Sequence, residues 1–214
     1  MRDARLPTQI VVFFQGNDHT LAGSSLHDAG RQCSDCGAFY MGRDWTYRGN
    51  TIQNTTFANL SSVFGQAHGE PSAVYLDDQL SSVKVDGCRF EQIAGRVLEL
   101  GGGRHNEFTN NVVVQSGEMQ ALSVDARGGG GTACCSEGKL PFGFLSRVPY
   151  ATAAAWRKYP DLPTILEDEP CTPKHNVISN NLLCGGVRRF SVDPAQVAGW
   201  GSVMANNTAV ATCP

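Results

Sequence analysis

Long apolar runs are missing from this 214-residue chain. No stretch of 18 apolar residues occurs, which excludes a bilayer-spanning helix. Charge of one sign is missing as well: 17 Lys and Arg face 20 Asp and Glu, for a net charge of −3. No basic field therefore recommends nucleic acid, and no Lys/Arg run recommends membrane insertion or a membrane surface. Only 17% of residues are charged, which suits a turn-rich β protein better than a helical bundle. A secretion leader is not evident either. Ile10–Phe14 is too short for its apolar core, and no small-residue cleavage site follows.

Gly, at 24 residues, and Cys, at eight, are abundant. Three Asn-x-Ser/Thr sequons (Asn54, Asn59, Asn206) join the cysteines in pointing to an extracellular, secreted or cell-surface setting. That composition without a leader reads as a segment of a longer protein, a single domain over 1–214 stacked on flanking coils or on an assembly partner.

A short pattern, apolar–x–apolar, recurs at Val12–Phe14, Phe39–Met41, Val74–Leu76, Leu98–Leu100, Leu122–Val124 and Phe190–Val192. After each comes a second signal, in which Ser24, Asn50, Cys88, Asn111, Asn181 and Asn207 are the marker residues. Two marks per period of roughly 24 residues describe one coil of a right-handed parallel β-helix, here of about six coils. A single coil cannot bury its own apolar residues. Stacking at about 4.8 Å buries them as a continuous ladder. Asn suits the turns because it tolerates positive φ and its amide can bond to the next coil.

Two intervals exceed the period, and they place insertions at 59–72 and 128–172. The second is partly helical. "ATAAAWRKY" predicts a two-turn helix capped by Thr152 and stopped by Pro160, and "PTILEDE" another turn starting at Pro163.

The stretches "FFQGNDHTLAGSSLHDAGRQCSDCGAFYMGRDWTYRGNTI", "AVYLDD", "LELGGGRHNEFTNN", "LSVDARG", "RVPYATAAAWRKYP", "ILEDEP" and "KHNVISNN" resemble the coils of large, secreted right-handed parallel β-helix proteins, loosely grouped with the pectate-lyase-like superfamily. The resemblance spans nearly the whole chain and implies the fold together with glycan chemistry. Two departures touch on activity. Cys36 follows Asp35 where a small or acidic residue is expected, and "GGGGTACCSEGKLPFGF" replaces a more aromatic, polar stretch.

Strand alternation turns the residue between two inward apolars outward. One outward column is then Phe13, Tyr40, Tyr75, Glu99, Ser123, Ser191, and the next is Gln15, Gly42, Asp77, Gly101, Asp125, Asp193. Asp77 and Asp125 fall two coils, about 9.6 Å, apart, with Gly101 between them and Glu99 one coil from each. Inverting glycosidases separate two carboxyls by about 6.5–9.5 Å and retaining ones by about 5–5.5 Å. Asp77, Glu99 and Asp125 are therefore the catalytic candidates, with one pKa raised by like charge.

Arg104 and Arg127 fall just past this column, as clamps for an acidic sugar or as salt-bridge partners of Asp78 and Asp125. Tyr75 and Asp78 complete the near face. Arg147, Tyr150, Trp156 and Tyr159 combine rings with a cation and read as a lid, or as packing of the insertion. Arg43-Asp44 reads as an ion pair, Trp45 as core or sugar platform, His68 as a turn residue, and His105 and His175 as repeat positions.

A single Cys33-x-x-Cys36 does not make a zinc site of the two-knuckle kind. Cys33, Cys36, Cys134, Cys135 and Cys171 are disulfide candidates, with Cys134 or Cys135 bridging to Cys171 across the neck of the insertion. Cys88 reads as a buried thiol. No cofactor is required for hydrolysis. A lyase would instead need a Lys or Arg base and usually Ca²⁺.

The leading expectation is a glycoside hydrolase acting on a cell-wall or matrix polysaccharide through the stacked carboxylate cluster; the alternatives are a polysaccharide lyase and, in a different class, a non-catalytic glycan-binding or structural solenoid. Carboxylates locked in salt bridges with no open groove over them would favour the solenoid.

Overall fold

The computed structural model describes residues 10, 12–65, 69–114, 120–127, 140–185, 188–190 and 193–213. The chain winds through six coils as a right-handed parallel β-helix, each coil adding one strand to each of three parallel sheets. Sheet A holds β1 (Val12–Phe13), β4 (Gly37–Gly42), β7 (Ser72–Asp77), β10 (Leu98–Gly101), β13 (Gln120–Asp125) and β16 (Arg188–Phe190), in that order. Sheet B holds β2 (Thr20–Ala22), β5 (Asn50–Gln53), β8 (Val83–Asp86), β11 (Glu107–Thr109), β14 (Val177–Ser179) and β17 (Val203–Ala205). Sheet C holds β3 (Ser25–His27), β6 (Thr56–Leu60), β9 (Arg89–Ile93), β12 (Val112–Val114), β15 (Leu182–Cys184) and β18 (Thr208–Val210).

Register follows the apolar pattern, because a one-residue slip would turn every core side chain outward. Phe39 pairs with Val74, Val74 with Leu98, and Leu98 with Leu122. Their side chains are buried in one continuous core, which also holds a file of rings. Phe57 stacks on Phe90 at 5.0 Å, and Phe90 meets Phe108 at 5.7 Å.

Two turn columns tie the coils together. Between sheets B and C, Cys88 N donates to Asn111 Oδ1, Asn111 N to Asn181 Oδ1 and Asn181 N to Asn207 Oδ1, each at 2.9–3.1 Å. Between sheets A and B a second ladder runs: Val83 N to Asn106 Oδ1, Asn106 N to Asn176 Oδ1, and Asn176 N to Ser202 Oγ. Asn50 belongs to this second ladder, where it accepts from His19 N. The single-column reading is corrected: Thr55, paired beside Thr56↔Arg89, occupies the place level with Cys88. In both ladders the amide satisfies backbone N–H groups that no strand partner reaches, and these would otherwise be buried unpaired.

Residues 140–176, which lead into β14, form a strap along the A–B turn edge. Helix α1 (Leu140–Leu145) opens it. The two-turn helix expected at "ATAAAWRKY" is instead a 3₁₀ turn, Ala154–Trp156, begun at Ala153 with no side-chain cap. Thr152 is drawn off into a backbone turn, its N–H donating to Pro149 O. A second 3₁₀ turn spans Ile165–Glu167. Trp45 is fully buried under the strap against Leu145, Tyr159, Leu162 and Ile165, so it is core and not a platform.

Charges fasten the strap. Buried Arg48 donates to Asp161, and Tyr159 and Lys158 both donate to Asp18. Cys33–Cys36 and Cys184–Cys213 are disulfides, and Cys171 is disulfide-bonded. Cys134 and Cys135, the expected partners of Cys171, lie outside the described residues, as does His68. The Cys184–Cys213 bridge was not anticipated from the spacing. Cys88 is a free buried thiol whose pKa burial pushes up to about 11. Disulfides of this kind point to an oxidising compartment. No helix among the described residues is long and apolar enough to cross a membrane.

Candidate functional site

The outward columns of sheet A fall as alternation requires. Phe13 pairs with Tyr40, Tyr40 with Tyr75, Tyr75 with Glu99 and Glu99 with Ser123. One step along, Gly42 pairs with Asp77 and Gly101 with Asp125. Ser191, the next member of the first column, lies outside the described residues, and β16 ends at Phe190, before Asp193. Asp193 caps helix α2 (Pro194–Gly199), its carboxylate accepting from Ala195 N.

The column's centre is occupied by Arg127. After β13 the chain turns at Asp125, which accepts from Arg127 N at 2.9 Å, and the side chain folds back across coils 4 and 3. Arg127 Nη2 donates to Asp125 Oδ2 at 2.7 Å and Glu99 Oε1 at 3.2 Å. Nη1 donates to Asp77 Oδ1 at 3.0 Å and to the Tyr75 hydroxyl at 3.1 Å, and lies 3.8 Å from Asp78 Oδ1.

Gly101 makes this geometry available. A Cβ there would stand 2.8 Å from the Arg127 Cζ and Nε atoms. The gap that an inverting hydrolase would fill with water is filled here by a guanidinium.

Outer contacts complete the network. Arg43 Nη2 reaches Asp77 Oδ2 at 3.3 Å, and its Nε donates to Asp78 Oδ2 at 3.1 Å. The expected Arg43–Asp44 pair is thereby replaced: Asp44 turns inward and accepts from Thr46 N and Oγ1. Tyr40 donates to Asp77 Oδ2 at 2.6 Å. Glu99 accepts from Ser72 Oγ at 2.9 Å and pairs with Arg96 at 3.1 Å.

Burial alone would weaken the Arg127 charge, but the bonds from Asp125 and Tyr75 and the adjacent negative charge outweigh it and raise its pKa. Burial, then the Asp77 bond, raises the Tyr40 pKa, and burial raises that of Tyr75. Asp77 and Tyr75 are only 4% and 5% exposed. This middle stretch of the face is closed.

Coils 1 and 2 are open. Phe13 is 51% exposed and stacks on Tyr40 at 5.7 Å with the rings 19° apart. Beside this pair lies a cleft of about 340 Å³ lined by Phe13, Gln15, Tyr40, Arg43, Tyr47 and, from the strap, Phe144.

The remaining candidates take other places. Arg104 turns away from the acidic column. It is 1% exposed, pairs with Asp168 at 3.0 Å, and donates to the carbonyls of Asp168, Glu169 and Thr172. Gly103 sets that direction: its missing Cβ would lie 1.7 Å from Leu80 O, so the chain dives into the A–B turn directly before Arg104. Arg147 sits over the Phe144 ring at 5.0 Å, and Tyr150 packs against the Trp45 cluster. Trp156 and Tyr159 hold the strap to coil 1 and do not cover the carboxylates.

His105 and His175 stack at 5.0 Å and face Asp161 and Asp168. Arg48, passed over in the sequence, is the strap's other buried cation. Its only signal is an Arg directly before the Gly-Asn of a turn. Among the described residues no three carboxylate, His or Cys groups converge on a metal point. No protein-family model, curated protein or solved structure matches the chain.

Proposed function

We propose that this chain is a glycan-binding β-helix, a secreted or cell-surface module of the pectate-lyase-like kind, whose binding face is the outer surface of sheet A at coils 1 and 2. The observation that carries this reading is the cleft lined by Phe13, Tyr40, Tyr47 and Phe144 with Arg43 and Gln15 at its rim. Flat apolar ring faces flanked by a few fixed polar groups suit a sugar, which has apolar C–H faces and a rim of hydroxyls. The Cys33–Cys36 and Cys184–Cys213 disulfides and the resemblance to extracellular β-helices support the placement.

Asp77, Glu99 and Asp125 serve this face as a fixed ionic platform. All three bond to one guanidinium, which offsets part of their charge, and Arg43 and Arg96 supply two more cations at the edges of the cluster. The test is binding of oligosaccharides by calorimetry. Phe13→Ala is expected to lower affinity about tenfold or more without altering the fold. Unchanged binding by that variant overturns the reading.

A hydrolase acting on a cell-wall or matrix polysaccharide is the second reading. It is favoured by the Tyr40–Asp77 bond, which links the cleft directly to the carboxylates. It requires Arg127 to leave the cluster when substrate enters. Sugar release that is lost in Asp125→Asn would establish it. A lyase is less well supported, because Arg43 and Arg127 both have raised pKa values, and a base that takes a proton from sugar must give its own up easily.

A further inference from the structure

The strap carries a second ring platform beside the coil 1 loop. A cavity of about 320 Å³ is lined by Asn17, Trp156, Lys158 and Tyr159. It belongs neither to the Tyr40 cleft nor to the Arg127 cluster. The two cavities share one loop, since Gln15 borders the first and Asn17 the second. The backbone positions of Gln15 and Asn17 are at most about 7 Å apart. They also share the strap, which contributes Phe144 to one and Trp156 to the other.

The second cavity is built and braced. Tyr159 is nearly buried; its hydroxyl donates to Asp18 Oδ1 at 2.8 Å and accepts from Asn17 Nδ2 at 3.3 Å. Lys158 donates to Asp18 Oδ2, and its ammonium lies 5.1 Å from the Tyr159 ring centroid. An ammonium has three donors; Asp18 and Tyr159 engage two of them, and one remains for a ligand. Its side chain is 56% exposed. The Trp156 ring is half-buried against the strap core, which fixes its plane.

From this we infer that the Trp156 cavity is a second sugar subsite, taking a further pyranose ring of the same glycan chain that enters at Phe13 and Tyr40. The ring stacks on Trp156, while Lys158 and Asn17 bond to its hydroxyl or carboxylate oxygens. The inference rests on the proposed glycan-binding reading and adds a chain-length requirement to it: long chains bridge both cavities, and short ones fill only the first.

The experiment is calorimetric titration of the intact chain with probes of two and six sugars: cellobiose and cellohexaose, xylobiose and xylohexaose, di- and hexagalacturonate. The expected result is a six-sugar probe that binds at least tenfold more tightly than its two-sugar counterpart. Trp156→Ala removes that advantage and leaves two-sugar binding unchanged. Trp156→Phe restores most of it, and Lys158→Ala, at an exposed position, removes part of it without touching the strap core.

A six-sugar advantage that survives Trp156→Ala overturns the inference, as does an equal loss for both probe lengths. Neither result touches the first cleft. Wild-type protein that binds no probe, or Phe13→Ala that binds all of them normally, overturns the glycan-binding reading itself.

Discussion

The outer face of sheet A has two halves with one backbone plan. In coils 1 and 2 it presents Phe13 and Tyr40 beside an open cleft. In coils 3 to 5 the same columns present Tyr75 and Asp77, which are buried, Glu99, which is nearly so, and Asp125, whose partly exposed carboxylate is held by Arg127. Each half has a glycine in the second column, and each glycine leaves a hole. The hole at Gly42 is bordered by the Tyr40 hydroxyl and Asp77 and opens into the cleft. The hole at Gly101 is filled by Arg127. A solenoid thus makes equivalent positions, and a single long side chain decides which of them stay accessible. A carboxylate column alone does not make an active site; the cation lying in it must be located first.

Removing that cation should separate the halves most. Arg127→Met leaves Asp77 and Glu99 close together and largely out of water without their shared partner. Breaking such a pair costs about 3 kcal/mol or more, and denaturant midpoints at constant m will show it. A loss below about 1 kcal/mol would mean the closed half is ordinary surface, where ion pairs contribute little, and the contrast would collapse.

Gly101→Ala probes the same hole from beneath. A methyl 2.8 Å from the guanidinium must push it aside, at a cost of about 1–3 kcal/mol. Gly42→Ala would meet Asp77 Cβ at 2.9 Å, a less yielding neighbour. Wild-type stability in Gly101→Ala would show that Arg127 has another resting place. Tyr40→Phe, which deletes the Tyr40–Asp77 bond and leaves the Arg43 bonds to Asp77 and Asp78 to join the halves, should cost about 1.5 kcal/mol because its acceptor is charged. Phe13→Ala, at an exposed position, should change stability by no more than about 0.5 kcal/mol while weakening glycan binding.

The contrast also marks how far the sequence could be read. The coils, the parallel pairing, the place of Gly101 beside Asp125 and that of Asp77 near them follow from a period of two along the strand and roughly 24 along the coil, whereas two marks per coil did not separate sheets B and C or the two turn ladders. Those periods fix the register. Arg127 was legible as a neighbour of the column but not as its occupant, because a four-bond side chain just past a strand end can point several ways. Arg104 had the same sequence logic, a basic residue just past a column position, and went the opposite way. The close approach of Gly103 to Leu80 turns the chain inward, and the strap carbonyls that receive Arg104 lie more than 60 residues along the chain. Contacts of that span leave no periodic trace, and neither does Cys184–Cys213, whose partners lie on different coils.

The smallest predicted effect concerns acid, and it too should distinguish the halves. The strap supplies Phe144 and Trp156 to the open half, and it rests on a charged seam in which His105 faces Arg48, Arg104 and His175 as well as Asp161. Burial lowers the His105 pKa; the two arginines and His175 push the same way, and only Asp161 opposes them. A folded pKa below the unfolded value near 6.5 means that the native seam prefers the neutral ring. Its contribution is therefore full above about pH 6.5 and is lost as the pH falls through the lowered folded value. Asp18 and Asp168, held down by Lys158 and Lys174, act in a separate window, below the usual carboxylate value near 4. Hydrogen exchange between pH 7 and pH 5, corrected for intrinsic rates, should show strap amides opening more often at the lower pH while those of β7, β10 and β13 keep their protection. His105→Asn should flatten that dependence. Equal loosening of both regions would place the acid response in the coils as a whole and not in the seam that carries the open half.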